Sequence, residues 1–267
     1  EGADIIIINH SLFANELLRD TSCLPSDFIY VIDEAHHFAS AIRDQLVTQV
    51  GVKSFDDVFN FFKSDKDSWK KTAFTKFPGI LKQYQKLTKD SKIIQKELLA
   101  FFNSYYENKR DEISRSEYHI NKILYRNSQE EFIDSEPTPW EVNTALKGFE
   151  KDLQKFGSSL QDEKEQIPAS IMIEFNAVEG ILKEGLESIN AALDIQSELV
   201  QWSSFIQSDY QNLTTLNSAP LKVNSFINDN LLQVYPGGVF CSATLMVNDD
   251  FRYFGEKTGL SLAALDH

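Results

Sequence analysis

The sequence predicts an α/β body of parallel strands with flanking helices that carries a large all-α insertion. Near one end, 28–32 is a continuous apolar run, as in a strand buried on both faces of a parallel sheet, and near the other 239–245 reads as a strand ending in hydroxyls. Between them, residues 51–215 repeat apolar positions every three or four residues, the period of a helix with one buried face.

The first block, residues 1–50, opens on Asp4-Ile5-Ile6-Ile7-Ile8, read as a short buried strand. Asn9-His10-Ser11-Leu12-Phe13 then turns the chain into a helix that reaches Arg19. Leu24-Pro25-Ser26-Asp27 reads as a loop, and Phe28, Ile29, Tyr30, Val31 and Ile32 as a second strand. Beyond it, Phe38, Ile42 and Leu46 recur at four-residue spacing and mark an amphipathic helix.

In the middle block, Ser54 with Asp57 three residues later looks like a helix start, and Phe55, Val58, Phe59 and Phe62 form its stripe. Ile94, Leu98, Phe101 and Tyr105 make a second stripe. Val142, Leu146, Phe149, Leu153, Phe156 and Leu160 make a third. Pro168 suits the first turn of a fourth helix carrying Ile171, Phe175, Val178, Leu182, Leu186, Ile189 and Leu193. Residues 134–139 read as a loop, and His119 as a surface or capping residue, with no second histidine or cysteine at metal-site spacing.

The last block, 216–267, leads through Ser218-Ala219-Pro220 into a helix around Phe226 to Leu232, broken by Pro236-Gly237-Gly238. Val239-Phe240-Cys241-Ser242-Ala243-Thr244-Leu245 then reads as a strand ending in two hydroxyls.

Chemistry enters at Asp33-Glu34-Ala35-His36. An acid pair at the carboxyl end of a buried strand sits where ligands bind in open α/β sheets, which suits nucleotide hydrolysis. Asp33 would hold Mg2+ through its water shell, with Glu34 beside it as the base that orients and deprotonates the attacking water. His36 would sense the nucleotide state. The plainer alternative is that Asp33 and Glu34 simply start a helix, since carboxylates favour helix amino termini. The hydroxyls of Ser242 and Thr244, around Ala243, could hydrogen-bond His36 or Glu34 on the adjacent strand and couple nucleotide state to movement.

With 267 residues, 42% of them hydrophobic, the chain is long enough to bury one large or two modest cores. No apolar run nears the roughly 20 residues that span a bilayer, and the first residues carry no basic leader, so a cytoplasmic monomer without a membrane is expected. Cys23 and Cys241 are too few for a four-thiolate centre and are expected to be free thiols.

The net charge of −14 disfavours a polyanion partner in bulk, but it is unevenly spread. Residues 51–110 hold 13 Lys and Arg against 7 Asp and Glu; residues 151–216 hold 4 against 11. Such asymmetry either orients a nucleic-acid strand towards one face or reflects two solvated helix surfaces. In the basic part, Lys70, Lys71, Lys76 and Lys82 interleave with Trp69, Phe74, Phe77 and Tyr84, a pairing that suits single-stranded DNA. The alternative is that the aromatics point into a helical core and the lysines are solvated.

Taken together, A-D-I-I-I-I-N-H-S-L-F at 3–13, V-I-D-E-A-H-H at 31–37, S-A-P-L-K-V at 218–223 and C-S-A-T-L at 241–245 resemble the DinG and XPD-like DNA helicases of superfamily two, and among them the bacterial DinG branch. The resemblance covers both ends closely and the middle by position only. It implies that 1–50 is the first part of motor domain 1 with its acid box, 51–215 a helical arch domain, and 216–267 the return segment with the Ser-Ala-Thr motif. Most helicases of that superfamily separate the two motifs by a few tens of residues, whereas 209 positions separate Asp33 from Ser242 here.

The implied function is 5′ to 3′ translocation on single-stranded DNA driven by ATP and Mg2+. No G-x-x-x-x-G-K-[ST] phosphate-binding loop occurs in the sequence, and a second motor domain would lie beyond His267. The chain thus reads as a fragment, inactive alone, whose partners are DNA and the remaining helicase domains. The cysteines leave open whether the parent protein holds an iron–sulfur cluster. The rival expectation is a binding module whose arch contacts DNA or a protein while its acid box is idle.

Overall fold

The computed structural model describes residues 4–19, 23–25, 28–63, 69–113, 120–194, 198–207, 212–235, 237–247 and 250–260. His119, Pro236, Ser26 and Asp27 lie outside them. The chain is mixed α/β and divides into two compact units. One comprises Glu1–Val47, Glu198–Val200 and Ala219–His267; the other comprises Thr48–Ser197 and Gln201–Ser218.

In the first unit, α1 (His10–Leu17) is capped by Asn9, whose side-chain oxygen accepts from the Leu12 amide at 2.7 Å. Strand β1 (Tyr30–Ile32) leads through a 3-10 turn, Ala35–His37, into α2 (Phe38–Gln45). In the second unit, β2 (Thr48–Gly51) is followed by a 3-10 turn, Val52–Phe55, and then α3 (Asp56–Phe61), α4 (Trp69–Phe74), the long α5 (Pro78–Ile113), β3 (Ile120–Tyr125), α6 (Ser128–Glu131), α7 (Pro139–Asp162) and α8 (Ala169–Leu193). Strands β4 (Leu199–Gln207) and β5 (Asn212–Pro220) come next. The first unit resumes with α9 (Asn224–Ile227), a π turn (Asn228–Leu232), β6 (Gly238–Phe240) and α10 (Arg252–Thr258). None of the described helices is long and apolar enough to cross a membrane.

The helical stripes read from the sequence are buried as expected. Ile94, Leu98, Phe101 and Tyr105 on α5, the six apolar positions of α7 and the seven of α8 all join one core. Edge-on aromatic contacts knit it together: Phe156 lies 5.7 Å from Phe74 and 5.6 Å from Phe175, and Phe62 lies 5.6 Å from Phe149. Thr138 and Glu141 form a reciprocal cap at the start of α7.

Other expectations are corrected. The insertion is not all-α: β2, β5, β4 and β3 form a four-stranded sheet in that order, with β2–β5 and β3–β4 antiparallel. Residues 216–220, read only as the lead into the next helix, belong to β5. The buried positions of these strands include Gln201, Ser203, Ser204, Thr214, Asn217 and Ser218, so apolar alternation is missing. Hydrogen bonds engage Gln201, Ser203, Ser204, Asn217 and Ser218. Asn217 Nδ2 reaches Ser204 Oγ at 3.1 Å, and Tyr105 donates to Glu131 at 2.7 Å while contacting Ser203 Oγ at 2.6 Å.

Residues 4–8 are not a strand either. Ile5 and Ile7 are 80% and 91% exposed, and no described strand lies alongside to complete a ladder. The runs at 28–32 and 239–245 shrink to three-residue strands; among the described residues β1 and β6 pair only with each other, and Ile29, Val31 and Val239 stay exposed. Ser54 does not begin the helix. Its hydroxyl accepts from the Gly51 amide at 3.1 Å within the preceding 3-10 turn, and α3 starts at Asp56.

Two glycines of α8 separate packing from propensity. A Cβ on Gly185 would lie 2.4 Å from Phe55 Cε1, and that ring is fully buried; a Cβ on Gly180 would meet nothing within 4 Å. Gly185→Ala gains about 1 kcal/mol of helix propensity but overpacks the core by roughly 1–3 kcal/mol. Chemical denaturation is expected to show Gly185→Ala destabilised and Gly180→Ala stabilised by about 0.5–1 kcal/mol.

Candidate functional site

The carboxyl ends of β1 and β6 converge on one cluster. The strands run parallel in the register Tyr30↔Gly238, Val31↔Val239 and Ile32↔Phe240. Main-chain bonds extend the pairing past both strands, from Cys241 N to Ile32 O at 2.9 Å and from Ala35 N to Cys241 O at 3.0 Å. Gly238 permits this approach, since a Cβ there would lie 2.1 Å from the Tyr30 ring. Burial of that ring raises the Tyr30 pKa. Beneath the site, Phe13, Tyr30, Ile32, Phe38, Ile42, Ile227, Leu231 and Phe254 form the core of the first unit.

The pairing brings Glu34, His36 and Ser242 into contact. Ser242 Oγ lies 2.7 Å from His36 Nδ1 and donates to Glu34 Oε2 at 3.2 Å, and His36 Nδ1 is 3.3 Å from the same carboxylate oxygen. The serine has a single proton. If it goes to Glu34, the 2.7 Å contact needs a proton on His36 Nδ1, which leaves Nε2 the acceptor in a neutral ring. Thr244 joins through Ser242, its amide 3.3 Å and its hydroxyl 3.4 Å from Ser242 Oγ, and not through Glu34 directly. Ala243 sits exposed in the intervening turn. The His36 and His37 rings lie 3.8 Å apart.

Asp33 is exposed beside this cluster. Its Oδ1 accepts from the Glu34 amide at 2.9 Å and from Cys241 Sγ at 3.5 Å, while its main-chain oxygen faces His10 Nε2 at 2.8 Å. Two members of the site, His10 and Cys241, were assigned no chemistry from sequence. Both lie inside the quoted motifs, but neither periodicity nor metal-site spacing gives them a role. Among the described residues no three His, Cys, Asp or Glu side chains gather as a metal cluster. A cation here would draw on Asp33 and on ligands from its own water and phosphates.

The four lysines lie in the other unit and divide into two kinds. Lys70 is committed, with its ammonium 2.5 Å from Glu174 and 4.1 Å from the centre of the Phe61 ring. Lys71, Lys76 and Lys82 are exposed. Of the interleaved aromatics, Phe74 and Tyr84 are buried, Phe77 is half-buried and Trp69 is exposed. Most of that stripe is therefore core, and Lys70 contributes to packing between α4 and α8.

No protein-family model matches the chain, and no curated protein matches it.

Both cysteines are free. Partial burial first, then the Asp33 and Glu34 carboxylates, push the Cys241 thiol above its ordinary pKa. Because the thiolate is the nucleophile, a raised pKa means slower alkylation at a given pH. Exposed Cys23 is expected to react with iodoacetamide before Cys241, and Asp33→Asn to speed the Cys241 reaction; peptide mass spectrometry of a timed labelling series checks both.

Proposed function

We propose that this chain belongs to an ATP-driven DNA helicase of the DinG and XPD-like kind, in which Glu34 is the base of nucleotide hydrolysis and Ser242 and Thr244 couple it to movement on single-stranded DNA, 5′ to 3′. One observation carries this reading: the contact of Ser242 with both Glu34 and His36 across a parallel strand pair. A chance Asp-Glu at a helix start has no need of a hydroxyl supplied from 208 positions away.

The residues fit the proposed roles. Asp33 is an exposed hard-oxygen donor with one carboxylate oxygen engaged and the other outside the hydrogen bonds described above, which suits Mg2+ held through water. When bound, the ion would neutralise charge on the transferring phosphate. Glu34 presents a largely exposed carboxylate, and with Oε2 occupied by Ser242, Oε1 is left to orient a water and take its proton. His36 and Ser242 then register that change, since any shift of the carboxylate disturbs both contacts. Strand β6 carries the disturbance away from the nucleotide.

The resemblance assigns DNA contact to the second unit, where Lys71, Lys76 and Lys82 remain exposed for phosphate contact.

In the full-length protein, Glu34→Gln is expected to lower DNA-stimulated ATP hydrolysis by about 10²-fold or more with nucleotide binding retained. Ser242→Ala and Thr244→Ala are expected to keep hydrolysis within severalfold and to lose most unwinding. A Glu34→Gln protein that hydrolyses ATP at the parent rate overturns the reading. Residues 1–267 alone are expected to show no turnover above that of their own Glu34→Gln variant, in keeping with the missing phosphate-binding loop.

A further inference from the structure

We propose that His10 is a positioning residue that locks the peptide preceding Glu34 and thereby holds the left-handed turn that aims the Glu34 carboxylate. The inference rests on the reading of Glu34 as the base. Among the described residues Glu34 alone combines a side chain with positive φ, at φ 47 and ψ 44. An L residue adopts that conformation only where its surroundings impose it.

The surroundings account for every polar group of the two flanking peptides. After Glu34, the Ala35 amide donates to Cys241 O at 3.0 Å and the Glu34 carbonyl accepts from the His37 amide at 3.0 Å. Before it, the Glu34 amide donates to Asp33 Oδ1 at 2.9 Å, and the Asp33 carbonyl faces His10 Nε2 at 2.8 Å. Only His10 among these partners is a side chain from outside the acid box.

The peptide that His10 holds is the one whose rotation would release the turn. A half-turn of the Asp33–Glu34 peptide plane takes Glu34 φ from 47 to about −130 with ψ left at 44, off the left-handed side that an L residue avoids. That rotation reverses the Asp33 carbonyl, which the His10 N–H bond opposes. It would also reverse the Glu34 amide and break its bond to Asp33 Oδ1.

The support under His10 is itself rigid. His10 is the first residue of α1, behind the Asn9 cap, and its ring stands edge-on to the fully buried Phe38 at 6.0 Å. Phe13 and Ala14 anchor the same helix in the core.

The test compares His10→Phe, which keeps a ring beside Phe38 but lacks the donor, with His10→Gln, whose amide can donate to the Asp33 carbonyl. In the full-length protein, His10→Phe is expected to lower kcat for ATP hydrolysis by about 10- to 100-fold with KM for ATP within about twofold, the scale of a misplaced catalytic group. His10→Gln is expected to recover most of that loss. Hydrogen exchange over residues 33–37, read by mass spectrometry, should quicken in His10→Phe and not in His10→Gln. Equal kcat and equal exchange in both variants overturn the proposal. Should Glu34→Gln prove fully active, the assignment of the base falls instead, and the exchange comparison alone decides the clamp.

Discussion

The parallel pairing of β1 with β6 is the constraint on which the candidate site depends. Its three-residue ladder is too short to hold itself, since each hydrogen bond contributes only about 1 kcal/mol net. Closing a loop of some 200 residues costs several kcal/mol of chain entropy on the logarithmic scaling of loop length. Two features offset that cost. Around the ladder, Phe13, Phe38, Ile42, Ile227, Leu231 and Phe254 bury apolar surface against Tyr30 and Ile32. Within the second unit, the incoming strand β2 pairs antiparallel with the outgoing strand β5, Thr48 opposite Ser218, so the chain leaves that unit beside where it came in. The effective loop is then far shorter than the sequence interval.

How much of this was legible in the sequence follows from which periodicities survive burial. The stripes of α5, α7 and α8 were readable because a helix packed on one side needs an apolar residue every three or four positions, and Leu98, Leu153 and Leu182 obey that rule. The four-stranded sheet was not, because Ser203, Ser204, Asn217 and Ser218 are buried by hydrogen bonding instead of by apolarity. The run at 4–8 misled in the opposite direction. Four consecutive isoleucines favour a strand, yet a strand also needs a neighbour to complete its ladder, and no described segment supplies one.

The acid box and the Ser-Ala-Thr segment were readable as motifs, and the sequence even suggested that they meet. It could not say through which atoms. Either hydroxyl, of Ser242 or of Thr244, could have reached Glu34 or His36, but the turn at Ala243 and Thr244 leaves Ser242 as the bridging one. His10 was invisible for a different reason: its bond goes to a main-chain oxygen, which any residue at position 33 would provide. Lys70 shows the limit of charge counting. One lysine among several, it is withdrawn from solvent by Glu174 and Phe61, a tertiary fact with no trace in local composition.

The cluster has a property that neither strand holds alone. Ser242 Oγ bears one proton and two lone pairs, so what it gives to Glu34 it cannot give to His36. A change of charge or position at Glu34 therefore alters what His36 must donate, and the reverse holds as well. Both contacts span the gap between β1 and β6, and both are near the limits of hydrogen-bond length at 2.7 and 3.2 Å. A shift of β6 by about 1 Å would break the longer one first. The left-handed backbone at Glu34 fixes where its side chain leaves the main chain, so only rotation within the side chain can follow a moving partner.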